Sequence, residues 1–322
     1  MTIQADRTIF EKLFQKDQDA EKLSYPGPQP DRMPPLITAC RPLHWLKNLL
    51  VFVAILVSHR FLELHSWWLS LLGFIALSCT ASAGYLFNDL TDLQADRTHP
   101  VKQHRPMASG RITAVQAGTT AAALLALSVF LGITLGAEFL LGLALYFLTT
   151  TTYSLWLKKM VIIDVLVLGL LFTLRIIIGC AALTVDPSFW LLAFSLFFFL
   201  SIALVKRFIE LDSAGNGENG HCLPRRGYMK DDRAAIGAMG VASGYLSVLV
   251  LALYVNSDQV LTLYSHPHDF WGLCLLVLYW ISRLWFLAHR NELCEDPVFF
   301  AARDGVSWLV AGAGLCILLL AL

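Results

Sequence analysis

The chain has 322 residues, of which 57% are hydrophobic and only 15% charged, and its mean hydropathy is +0.61. A soluble domain of this length does not carry so much apolar surface, so the composition excludes a soluble globular enzyme. Acidic and basic residues balance to a formal net charge of zero, so there is no global positive field of the kind nucleic-acid binding needs.

Residues 1–38 are polar and charged, with a short amphipathic patch at Ile9, Phe10, Leu13 and Phe14 and a proline-rich stretch ending at Pro30. No signal-peptide core is present, and the segment reads as a mobile or membrane-surface tail ahead of a single membrane domain over 39–322. From there the apolar residues fall in blocks that match a hydrocarbon core of roughly 30 Å at about 1.5 Å rise per residue. Nine blocks predict nine transmembrane helices, at about 46–64, 67–87, 113–136, 138–157, 161–183, 188–207, 235–255, 269–288 and 305–322. His59 and Arg60 interrupt the first. The expected fold is an all-α integral membrane protein. Alternate loops hold nearly all the Lys and Arg, which predicts a cytoplasmic N-terminus and a C-terminus on the far side. The loop 212–233, rich in Gly and charge, reads as a flexible cytoplasmic flap. The seven cysteines show no metal-ligand spacing and read as small buried hydrophobes; His266 and His268 have no third ligand nearby.

The second block ends in Asn88-Asp89-Leu90-Thr91-Asp92-Leu93-Gln94-Ala95-Asp96. On a continuous helix Asp89, Asp92 and Asp96 share one face, with Asn88 one turn below Asp92. Three carboxylates on one stripe repel one another and are costly to desolvate, and a divalent cation relieves both problems. Hard oxygens suit Mg²⁺, which usually takes one or two carboxylates plus substrate phosphates. Basic residues follow at Arg97, His99, Lys102, Arg105 and Arg111. Acid then base at a lipid interface predicts a site for a metal-bound diphosphate; the competing reading is a solvated helix end with mixed charges.

Other polar residues sit where a membrane disfavours them. Arg41-Pro42 opens the first block, and Lys47 follows within it beside Asn48. Trp45 and Lys47 suit interfacial anchoring, while Arg41 and Lys47 would equally suit a phosphate. Tyr153 to Lys159 closes the fourth block, and Asp164 and Arg175 lie in the next, roughly 16 Å apart along a helix, too far to pair directly. Arg175 is expected to face a cavity. Lys206, Arg207 and Glu210 share part of a helix face, as an internal ion pair or as clamps for an oxyanion. There is no P-loop, GxSxG elbow or HExxH, so the chemistries tied to those motifs have no support.

At these residues the chain resembles the UbiA superfamily of intramembrane prenyltransferases, over most of residues 41–310, with the signature NDxxDxxxD standing at Asn88 to Asp96. Within it the pattern is most similar to the polyprenyl-phosphate (decaprenyl-phosphate) phosphoribosyltransferases. RPxxWxKN stands at Arg41 to Asn48, NDxxDxxxDRxHPxKxxRPxASG at Asn88 to Gly110, and YSxxLK at Tyr153 to Lys158 with Asp164 after it. KRxxEL at Lys206 to Leu211 and DPVxFAxxD at Asp296 to Asp304 complete the set.

The resemblance implies a UbiA-like helical bundle with a cytoplasm-facing cavity. It implies Mg²⁺ on Asp89, Asp92 and Asp96, with Asn88 beside them. The implied reaction moves a 5-phosphoribosyl group from 5-phosphoribosyl 1-diphosphate to a polyprenyl phosphate in the cell (inner) membrane. Lys47, Lys102, Arg105 and Lys158 would neutralise phosphates, and Lys206 and Arg207 would steer the acceptor. Arg41, Tyr153, Asp164, Arg175 and Glu210 complete the expected substrate-binding set. Aromatic prenyltransferases of the superfamily carry a second aspartate-rich motif where this chain has the cations of Lys206 to Leu211. Transfer of a prenyl group to an aromatic acceptor stays open as an alternative, as does secondary transport, although transport needs polar access to both faces. Assembly into a homo-oligomer is also left open.

Overall fold

The computed structural model describes residues 33–98, 102–214, 226–257, 260, 269–293 and 296–321. His99, His266, His268, Cys222, Cys294, most of the N-terminal tail and part of the 212–233 loop lie outside those residues. Among the described residues the regular elements are all helices. In chain order, three short 3₁₀ turns aside, they are α1 (Pro35–Cys40), a 3₁₀ helix (Pro42–Phe52), α2 (Val53–Val57), α3 (Leu64–Thr91), α4 (Leu93–Arg97), α5 (Ala114–Leu135) and α6 (Ala137–Leu155). Then follow α7 (Ile163–Ala182), α8 (Phe189–Ala214), α9 (Arg233–Val255), α10 (Phe270–His289), α11 (Pro297–Arg303) and α12 (Gly305–Ala321).

Six of these helices are long and apolar enough to cross a membrane, and α11 with α12 makes a seventh if that pair, bent by 81°, is one span. Two of the nine expected spans take another form. The block at 138–157 is a helix of 19 residues, α6, whose last turns carry the polar run Thr149 to Thr152. The block at 46–64 is instead the 3₁₀ helix of 11 residues continued by the 5 residues of α2. At about 2.0 Å per 3₁₀ residue and 1.5 Å per α residue, Pro42–Val57 still reaches about 30 Å.

The 3₁₀ geometry has a functional consequence. Side chains at i and i+3 eclipse, so this helix has three separate faces. Trp45, Asn48, Val51 and, on α2, Ala54 form the inner face. Trp45 donates to Ser82, Asn48 donates to Ser78, and Val51 and Ala54 are fully buried. His44 and Lys47 form a second face, and Leu43, Leu46 and Leu49 a third, more exposed one. The inner face packs closely on α7, where a Cβ on Gly179 would stand 2.3 Å from the Val51 carbonyl oxygen. Only glycine lets the two backbones approach so far.

Two apolar cores flank this seam. One joins the 3₁₀ helix to α3, α6 and α7 around Leu77, Phe139 and Ile178; the other joins α7, α8, α9 and α10 around Phe199, Phe208, Ile281 and Trp285. The polar helix ends of α3, α6 and α8 gather at one end of the bundle.

Candidate active site

Asp89 and Asp96 are nearly fully buried, with relative exposures of 3% and 1%. They come from different helices. α3 ends at Thr91, Asp92 caps it with its backbone outside the helical region (φ −92°, ψ 3°), and α4 then carries Asp96. The expected single stripe of three aspartates is therefore broken. Asp92 turns to Lys158, 3.5 Å away, while Asp89 and Asp96 are joined through Arg105, whose Nη1 lies 3.2 Å and 2.6 Å from their carboxylates. Arg41 adds a second cation on Asp89 at 2.6 Å. Its backbone caps α1 in the left-handed region (φ 53°, ψ 58°), and this reversal sets the start of the 3₁₀ helix.

No group of three or more metal-ligating side chains gathers among the described residues. The chemistry of the donors nevertheless fits Mg²⁺, which needs hard oxygens and takes only one or two carboxylates beside water and phosphate. Asp89 and Asp96 supply two, and Asp96 Oδ1 is buried with no hydrogen-bond partner, a ready ligand oxygen. Asp92, as placed, is not one of them. Asn88, half-buried on the last turn of α3, accepts from Asp92 N–H and the Thr91 hydroxyl at its backbone carbonyl. Lys102 opens the short 3₁₀ turn Lys102–His104 just before Arg105.

A second polar cluster forms farther along. Lys47 and Lys206 both lie 2.9 Å from the same oxygen of Asp296. The other oxygen of Asp296 accepts from Val298 N–H at 3.1 Å and caps α11, where Pro297 takes the first position. Burial pushes the Asp296 carboxyl up, but Lys206 and Lys47 outweigh it and hold it well below the usual carboxylate range. An aromatic shelf separates the clusters. His44 stands 5.3 Å from the Tyr85 ring and 5.1 Å from the Phe299 ring. Arg41 lies over Tyr85 at 4.9 Å, and Lys47 over Phe299 at 5.5 Å. Beside Asp296 a crevice of about 780 Å³ opens between the 3₁₀ helix and α11, lined largely by apolar residues such as Leu46, Leu49 and Phe299.

Several expected substrate residues are placed elsewhere. Arg207 is fully buried, 2.6 Å from Asp164 and ion-paired to Glu210. Tyr228 donates to Asp164 and accepts Ile162 N–H. Arg207 therefore cannot steer an acceptor; it closes a buried ion pair between α7 and α8. Asp164 and Glu210 are its partners in that pair. Arg226, missed in the sequence, extends this network, 3.7 Å from Glu210 and 3.5 Å from the Tyr153 hydroxyl. Arg175, expected in a cavity, is 6% exposed and spends its donors on Asn48, Tyr146 and the Leu171 carbonyl. It thereby fixes Asn48, next to Lys47.

Asp296, His44, Tyr85 and Phe299 were also missed as site residues. The run Asp296 to Asp304 held the one available signal, a charged residue directly before a proline that opens a helix.

The sequence pattern of the UbiA prenyltransferase family matches residues 49–303, and the chain belongs to that family. Family membership and its long apolar helices mark it as an integral membrane protein. It is 35% identical over 267 residues to an uncharacterized protein, y4nM, of Sinorhizobium fredii, covering 83% of this chain and 52% of that one. It therefore spans about half the length of that relative. It is 34% identical over 282 residues to the nodulation protein NoeC of Azorhizobium caulinodans, covering 87% of this chain and 90% of the relative. It is 31% identical over 194 residues to the decaprenyl-phosphate phosphoribosyltransferase of Mycolicibacterium smegmatis, covering 58% of this chain and 60% of that enzyme. The structure of a UbiA homolog from Archaeoglobus fulgidus bound to GPP and Mg²⁺ superposes with a TM-score of 0.63, at 16% identity, covering 88% of this chain and 99% of the other. At that identity the superposition establishes the fold.

Proposed function

We propose that the chain transfers a 5-phosphoribosyl group from 5-phosphoribosyl 1-diphosphate to a polyprenyl phosphate and releases diphosphate. One observation carries the reading: two polar clusters of different chemistry face each other across His44. The first combines two buried carboxylates with Arg41 and Arg105 and suits a metal-bound diphosphate. The second has two lysines on a single carboxylate, an excess of positive charge that suits a phosphate bound without metal. Its apolar crevice suits the lipid to which that phosphate is attached. Likeness to the Mycolicibacterium smegmatis enzyme supports the same assignment.

In this reading Asp89 and Asp96 hold Mg²⁺, which when bound supplies Lewis-acid neutralisation of the leaving diphosphate. Arg41 and Arg105 orient the donor's diphosphate, with Lys158 and Lys102 on the same rim. Lys47 and Lys206 hold the lipid phosphate against the shelf. An oxygen of that phosphate bonds to the anomeric carbon, the carbon–oxygen bond to diphosphate breaks, and its electron pair leaves with diphosphate. The acceptor is already an anion, so no side chain need remove a proton. In the same reading this end of the bundle, where the basic loops gather, lies at the cytoplasmic face of the inner membrane.

The fold shared with the GPP-bound relative favours one alternative, prenyl transfer from a polyprenyl diphosphate. Purified protein with Mg²⁺ decides between them. Labelled 5-phosphoribosyl 1-diphosphate is offered with polyprenyl phosphate, and polyprenyl diphosphate with an aromatic acid. Product only in the second reaction overturns the proposal.

A further inference from the structure

One line of side chains joins the two polar clusters. Arg41, His44 and Lys47 stand three residues apart, and the first 3₁₀ hydrogen bond, from His44 N–H to the Arg41 carbonyl at 2.9 Å, sets them on one face. At about 2.0 Å per residue the line from Arg41 to Lys47 is about 12 Å long, with His44 at its middle. Arg41 ends on Asp89 and Lys47 on Asp296. Opposite them, α3 carries Tyr85 one turn before Asp89, and α11 carries Phe299 one turn after Asp296. The half-buried imidazole stands between those two rings, tilted 60° to Tyr85 and edge-on at 89° to Phe299.

The charged groups at both ends of the line are spent on one another. The middle is different: neither ring nitrogen of His44 nor the hydroxyl of Tyr85 has a hydrogen bond among the described residues. A neutral imidazole and a phenol each donate and accept. Facing hydrocarbon, such groups stay unpaired at a cost, whereas a hydroxyl can pair with either. Between a site for a departing diphosphate and a site for an incoming phosphate lies the group being transferred.

We propose that His44 and Tyr85 hydrogen-bond the ring hydroxyls of the transferred sugar and thereby select a hydroxylated donor over a prenyl diphosphate. The proposal rests on the reaction given above and adds to it the residues that read the transferred group. Tyr85 and Phe299 hold the imidazole from two sides, so its nitrogens are aimed before the donor arrives. Arg41 over the Tyr85 ring, at 4.9 Å, does the same for the phenol.

Deoxy donors test it. Purified protein with Mg²⁺ and polyprenyl phosphate is assayed with 5-phosphoribosyl 1-diphosphate and with its 2-deoxy and 3-deoxy analogues. The readout is the ratio of kcat/KM for the parent donor to that for each analogue. Comparing this ratio between variant and wild type cancels the intrinsic change in reactivity that a missing hydroxyl brings. His44→Phe keeps a ring between Tyr85 and Phe299 and removes both nitrogens, while Tyr85→Phe removes only the hydroxyl. Each should lower the ratio for at least one analogue by about fivefold or more, the effect of one hydrogen bond to a substrate hydroxyl. His44→Leu takes the place of His44→Phe if the latter does not fold. A smaller change for both analogues overturns the role of the residue substituted, whatever the absolute rate, because damage to the fold lowers parent and analogue alike. Wild-type protein that forms no product from 5-phosphoribosyl 1-diphosphate overturns the proposed reaction, and the sugar-reading role falls with it.

Discussion

Burial separates charged residues that look alike in the sequence. Lys206 and Arg207 are neighbours, yet Lys206 keeps about a third of its surface exposed (34%) and faces Asp296, whereas Arg207 has none (0%) and faces Asp164. Breaking a buried ion pair by removing one partner costs about 3–5 kcal/mol. Arg207→Gln should therefore reduce the yield of folded protein and its melting temperature in detergent. Any protein recovered should keep a near-normal KM for the acceptor. Lys206→Gln should fold well and raise the acceptor KM by about ten- to hundred-fold, the equivalent of one charge-assisted bond, with the donor KM little changed. A donor KM that rises instead would exchange the two phosphate sites. Asp89→Asn and Asp96→Asn remove the proposed metal ligands and should each lower turnover by about a hundredfold or more. EDTA should do the same to the wild type, with Mg²⁺ restoring it. Full activity of both variants in EDTA would remove the metal from the account.

Among the elements, the 3₁₀ helix connects the cores to the chemistry. Its threefold repeat puts Asn48 inside while Lys47, one residue earlier, faces the site. Arg175 and Ser78 hold Asn48 from α7 and α3 at 3.1 Å and 3.0 Å. Asn48→Ala leaves the buried Arg175 short of an acceptor, a loss of about 1–3 kcal/mol, and frees the segment that aims Lys47. Gly179→Ala forces a methyl against the Val51 carbonyl and should cost about 1–3 kcal/mol through the same contact. Thermal unfolding in detergent measures both. If Asn48→Ala lowers stability but leaves the acceptor KM unchanged, the segment does not position Lys47.

Over the whole molecule, the asymmetry of charge along the chain implies one orientation in the bilayer. Lys230 and Asn256 lie at opposite ends of the span Lys230–Val255. A cysteine at position 230 should react with an impermeant maleimide only from the cytoplasmic side, and one at 256 only from outside. Labelling of both from one side would invalidate the orientation on which the cytoplasmic site depends.

Membrane residence, helical class and family were legible in the sequence, as was the supply of charged residues from which the proposed site is drawn. Hydrophobic block length, charge asymmetry and motif spacing are local properties of the chain, and each maps directly onto a physical requirement of a bilayer or a phosphate. Which charges meet which was not legible. The stripe of Asp89, Asp92 and Asp96 assumed a continuous helix, whereas the helix breaks at Asp92 and the carboxylates meet partners from other segments, Arg41, Arg105 and Lys158. Asp296 lies 249 residues from Lys47, and nothing in either local pattern joins them. Side-chain pairing across helices depends on how the helices rotate and approach, and packing at contacts such as Gly179 on Val51 sets that. The sequence by itself determined the solvent, the element type and the supply of charge; only the tertiary structure decided which charges are consumed in holding the helices together and which remain to meet a substrate.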